Sequence, residues 1–125
     1  MQLMILLAVA LGGAIGSLAR YFVASVVQQS TAQFPWGIFV VNVSGGFLMG
    51  VIVELSALKL NVSPEMRAFL TVGILGGYTT FSTFSLDSAL LIQRGAYATV
   101  AAYVIGSTVL SILALFAGLW IMRTL

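Results

Sequence analysis

The chain has no cysteine and no histidine, and only three acidic and five basic residues among its 125 positions. Without cysteine there are no disulfides, no thiol nucleophiles and no thiolate metal sites; without histidine, imidazole chemistry is excluded too. Three carboxylates are too few to build a carboxylate cage around a metal within one chain. Charged residues make up 6% of the chain, against about 25% in a soluble domain, so it cannot cover a water-facing surface. A net charge of +2 is too small to point to nucleic acid as a partner. What fills the chain instead is apolar: 61% of the residues are hydrophobic and the mean hydropathy is +1.15. The composition indicates an integral membrane protein whose surroundings are the lipid bilayer. The opening MQLMILLAVALGG lacks a basic leader and its apolar run continues past Gly16, so it reads as a retained span.

Four apolar segments, about 3–27, 37–58, 64–92 and 96–121, each approach the roughly 20 residues that a membrane helix needs. The expectation is an all-α, multi-pass protein with one four-span membrane domain over residues 1–125. The connections are short. Pro35 precedes the second span, Ser63-Pro64 offers an N-cap followed by proline at the first helical position, and Gln93-Arg94-Gly95 makes a tight turn.

The stretch from Gly73 to Phe84 differs from its surroundings. It holds Gly73, Gly76, Gly77, the hydroxyls of Thr79, Thr80, Ser82 and Thr83, and two phenylalanines three apart, Phe81 and Phe84. Each glycine costs about 1 kcal/mol of helix propensity relative to alanine. The stretch sits at the middle of the third segment, so a break there lies near the bilayer midplane. Unwound backbone at that depth must be buried in protein or line a wet site, where carbonyls can bind a cation. The alternative is a continuous helix whose glycines serve close packing and whose threonines bond back to the preceding turn. Likewise, Phe81 and Phe84 either pack in the core or turn their positive ring edges toward a small anion.

The other spans add polar points. Gly12 and Gly16, and again Gly46 and Gly50, have the small-xxx-small spacing that lets backbones approach. Arg20 lies toward the end of the first span, either snorkelling to the interface or facing a wet vestibule. Asn42 lies early in the second span, a strong donor and acceptor whose ordinary use there is a hydrogen bond across helices. Tyr103, Ser107 and Ser111 are spaced by four, which stacks their hydroxyls on one helix face; they form a polar track unless each serine bonds back to its own helix. With four spans, Lys59, Arg67 and Arg123 fall at one end and Arg20 and Arg94 at the other. This near-absence of positive-inside bias fits either insertion in both orientations, with antiparallel pairing of the chain to itself, or a merely weak bias.

These residues resemble a known family. Gly12-Gly13-x-x-Gly16-x-x-x-Arg20-Tyr21, Val41-Asn42-x-x-Gly45 and above all Gly76-Gly77-x-Thr79-Thr80-Phe81-Ser82-Thr83-Phe84 are similar to the Fluc (CrcB) fluoride channels, and the likeness covers all four spans. The resemblance implies a dual-topology antiparallel homodimer in the cell (inner) membrane, with two pores that pass fluoride out of the cell and protect against its toxicity. It implies a fluoride path along Asn42, Phe81, Phe84, Thr83, Tyr103, Ser107 and Ser111, with Arg20 at the vestibule. It also implies a structural sodium ion held at the dimer axis by the backbone carbonyls of Gly76 and Thr79. The chain departs from the family's usual residues at Ser17, Ile38-Phe39 and Asp87; Ile38 would remove a hydroxyl from the entry, and Asp87 shortens an acidic arm.

Two other readings compete. A small multidrug-type transporter has the same length and span count, but needs an acidic residue in the first span, and residues 3–27 contain no Asp or Glu. A non-transporting assembly protein would use the glycine motifs for packing alone, and packing does not require hydroxyls at the midplane. No enzymatic activity is expected.

Overall fold

The computed structural model describes residues 2–58 and 61–125; Lys59 of the charge count lies outside the described residues. The described chain is all helical, and four of its stretches are long and apolar enough to cross a membrane: Gln2–Val27, Trp36–Leu58, Pro64–Gln93 and Tyr97–Thr124. The first two are the helices α1 and α2. The third span is composite: α3 (Pro64–Arg67), a π-helical stretch Ala68–Leu75, a turn α4 (Gly76–Tyr78) and α5 (Ser82–Gln93). Helix α6 (Tyr97–Thr124) is the last.

The caps follow the sequence. Ser63 Oγ accepts the Met66 N–H at 3.1 Å with Pro64 behind it, a satisfied N-terminus for α3. Gly95 takes a left-handed φ of 76°, and the Ala96 and Gly95 N–H groups return to Leu91 and Ile92. That is the paired C-terminal closure glycine permits, and it turns the chain from α5 into α6.

Glycine spacing sets the packing. Helix α1 lies on the π-helical stretch and α4, and α2 lies on α6. At Gly12 a Cβ would stand 2.5 Å from the Phe69 carbonyl oxygen, and at Gly16 it would run into the Ile74 carbonyl. On the other seam Gly46 meets Ser111, and Gly50 and Gly118 meet the backbone of the opposite helix. Near the chain termini, buried Glu54 accepts a 2.7 Å hydrogen bond from Arg123 Nε and joins the ends of α2 and α6.

The third span is interrupted, but not at the glycine pair. Both Gly76 and Gly77 are helical, and the helix ends at Thr79, whose φ of −80° and ψ of 157° are extended. The physical reason is packing. A Cβ at Gly77 would stand 2.7 Å from the Gly13 carbonyl oxygen, so this glycine admits α1 and does not unwind the chain. The break runs over residues 79–81 at the middle of the Pro64–Gln93 span, so Phe81 belongs to the break and Phe84 to the resumed helix. The π-helical turns before it have no signal in local propensity.

Candidate functional site

Two cavities flank the break. The outer one, about 670 Å³, is lined by Arg20, Thr83, Asp87 and Arg94 among others. Two guanidinium groups therefore face it against one carboxylate, an electropositive mouth that raises local anion concentration. Arg20 is half-buried and donates to the Thr79 carbonyl oxygen at 3.5 Å, so its head points inward along the bundle. Arg94, read from the sequence only as a turn residue and an end charge, shares this cavity. Ser17 and Ile38 also line it, so at Ile38 a sec-butyl surface stands where the resemblance leads one to expect a hydroxyl.

Tyr103 lies deeper, fully buried. Its hydroxyl donates to Asp87 Oδ2 at 3.0 Å, so that proton is committed to the carboxylate. Its ring stands 5.0 Å from Phe84 and edge-on to Phe34 at 5.5 Å. Asp87, Tyr103 and Phe84 thus link the outer cavity to the inner one. Phe34, Trp36 and Phe39 extend this aromatic cluster, with Phe34 and Trp36 centroids 4.4 Å apart. Phe34 and Trp36 were assigned no role from the sequence; the aromatic pair flanking Pro35 was the signal that they join this cluster.

The inner cavity, about 540 Å³, is lined by Asn42, Gly76, Thr79, Phe81, Phe84, Ser107 and Ser111, among others. Phe81 and Phe84 sit 5.6 Å apart with planes tilted by 42°. Phe81 is 79% exposed, so this cavity lies at the edge of the chain. The hydroxyls of the helices divide sharply. Thr79, Ser85, Ser88 and Thr108 each donate to the carbonyl four residues earlier, at 2.8–2.9 Å. Ser107 Oγ and Ser111 Oγ, one turn apart on α6, are buried with no hydrogen-bond partner among the described residues. Buried hydroxyls are nearly always paired, and an orphaned pair on one cavity wall marks a place for a polar guest.

Asn42 holds the break. Its side-chain oxygen accepts the Thr80 N–H at 2.9 Å and its amide nitrogen donates to the Thr80 carbonyl at 3.1 Å. Thr80 Oγ1 in turn accepts the Thr83 N–H at 3.2 Å and restarts the helix. Thr83 faces the outer cavity and not the inner one. Among the described residues no cluster of acidic side chains suited to a metal is present, so a cation at the inner cavity would find neutral oxygens, backbone carbonyls among them. Gly76 is exposed, and its carbonyl lies four residues before Thr80, whose N–H is taken by Asn42. The Thr79 carbonyl also faces the Arg20 guanidinium. Neutral backbone carbonyls at a broken membrane helix are sodium-type ligands, and the carbonyls of Gly76, in the last helical turn before the break, and Thr79, at the break, are of that chemistry.

Residues 7–119 match the family described as CrcB-like protein, camphor resistance (CrcB). The chain is 52% identical over 118 residues to the fluoride-specific ion channel FluC of Agrobacterium fabrum, covering 94% of both chains. It is 49% identical over 121 residues to that of Rhizobium meliloti, covering 96% of this chain and 97% of the relative. To the protein of the same name from Nitrobacter winogradskyi it is 51% identical over 121 residues, covering 96% of each.

Proposed function

Since the chain belongs to the CrcB family, we propose that it is a fluoride-selective channel, not an enzyme, through which cytoplasmic fluoride leaves the cell passively across the inner membrane. The observation that carries this reading is the pair of orphaned hydroxyls, Ser107 and Ser111, on the wall of a cavity edged by Phe81 and Phe84. Fluoride is small and holds its water tightly, so a pore must replace that water with hydrogen-bond donors. Two hydroxyls one helical turn apart do this in sequence, and the positive ring edges of the phenylalanines add to it. Nothing on this wall carries a full positive charge, so an ion is held weakly enough to leave. Arg20 and Arg94 gather anions at the outer cavity. Tyr103, its proton held by Asp87, offers ring and not donor to the path, and Thr83 belongs to the mouth.

The channel we propose is an antiparallel homodimer with two pores. Exposure of Phe81 and Gly76 in mid-span supports a second copy as the missing wall. The ends of the bundle support both insertions: three cations at one end against two at the other leave almost no positive-inside bias. Gly76 and Thr79 of two copies would together hold a sodium ion, which would fix the two breaks against each other. In proteoliposomes, the Ser107→Ala/Ser111→Ala variant should release fluoride at least about tenfold more slowly than wild type, the loss of roughly one or two hydrogen bonds to a charged guest. It should keep the same assembly in detergent. Unaltered fluoride release by this variant would exclude the α6 hydroxyls from the path.

A further inference from the structure

Among the described residues, Asn42 is the one side chain that grips the break by both of its functional atoms. The two bonds to Thr80, 2.9 and 3.1 Å long, copy the exchange between neighbouring strands and come from a residue 38 positions away. Their consequence lies on Thr80's own helix. In an uninterrupted α-helix the Thr80 N–H would bond the Gly76 carbonyl; here Asn42 takes it. The spacing of Asn42 and Gly45 serves the same end. A Cβ at Gly45 would collide with the Thr79 methyl, so Gly45 seats Thr79 while Asn42, one turn away, seats Thr80. Ser44 adds a 3.0 Å bond to the Tyr78 hydroxyl just before the break. Residues 78–80 are thus docked one after another onto α2.

We infer that Asn42 is a positioning residue: by taking the Thr80 N–H it keeps the third span broken and leaves the Gly76 carbonyl available to a cation. The inference rests on the sodium reading above. It differs from a role as an ion-path ligand, because it assigns Asn42 an effect on the cation site and not only on anion flow.

The two roles separate by experiment. Assembly of the purified full chain in detergent would be followed by cross-linking as sodium replaces N-methylglucamine at constant ionic strength, alongside fluoride efflux from liposomes. Asn42→Leu keeps the shape and loses both the acceptor and the donor, so the sodium concentration at half-assembly should rise at least about tenfold, the equivalent of about one net hydrogen bond. Asn42→Asp keeps an acceptor for the Thr80 N–H but loses the donor to the Thr80 carbonyl, so its sodium midpoint should move less than that of Leu, even where its charge stops fluoride. If Leu lowers efflux with the sodium midpoint unmoved, or if Asp shifts the midpoint as far as Leu, Asn42 does not act through the break. Should Leu fail to fold, Asn42→Ala takes its place with the same rise expected, and a wild-type midpoint in Ala overturns the inference. Wild-type assembly that ignores sodium would instead remove the cation reading itself, and with it this inference.

Discussion

Arg20 and Arg94 are far apart in the chain and meet at one cavity. Their charge acts on ions before any contact, and such an effect is screened by salt. Arg94→Gln should therefore slow fluoride efflux on the order of threefold at about 10 mM ionic strength, and the deficit should vanish near about 1 M, where the screening length is about 3 Å. A deficit independent of salt would mean that Arg94 acts by packing. At this scale the sequence was partly legible. The face shared by Ser107 and Ser111 followed from a spacing of four, because a helix repeats on that period. That these two hydroxyls lack a partner, while Ser85, Ser88 and Thr108 bond back to their own helices, was not legible, since it depends on what stands opposite. Tyr103 was read as a third member of the track, and the structure gives its proton to Asp87.

Helices are where sequence reading succeeds in this protein and where its limit is plain. Each span was legible because a lipid-crossing helix must be long and apolar, and the expected boundaries lie within three residues of the observed ones. Small-xxx-small spacing announced close approach but not the partner. The break was announced by two glycines yet lies after them, because its immediate cause is a side chain on another helix. Local propensity cannot contain that bond. The glycine seam gives a paired test. At Gly16 an added methyl meets the Ile74 carbonyl, whereas at Gly13 it meets nothing within 4 Å. Gly16→Ala should lower stability by about 1–3 kcal/mol, read as the thermal midpoint of the protein in detergent. Gly13→Ala should be neutral, or more stable by up to about 1 kcal/mol. Equal effects at both sites would contradict the α1 seam.

As a whole, the chain resembles half of an object. Its inner cavity opens at an edge where Phe81 and Gly76 stand exposed in mid-membrane, and unwound backbone there needs protein or water beside it. The antiparallel pairing we propose would supply that cover with two breaks back to back, and three cations at one end against two at the other leave little positive-inside bias against opposite insertion. The path we propose, from Arg20 and Arg94 to Ser107 and Ser111, would be neutral beyond its mouth. No acidic residue on the inner cavity wall offers the proton exchange that a coupled transporter would require. Passive and selective flow is thus the central claim. Liposomes carrying the protein and loaded with equal potassium fluoride and potassium chloride would be diluted into an impermeant salt, with fluoride and chloride electrodes reading the bath. Adding valinomycin, with no proton gradient imposed, should release fluoride at once and leave chloride inside until detergent is added. Release of both ions together, or fluoride release only when a proton gradient is applied, would contradict the account.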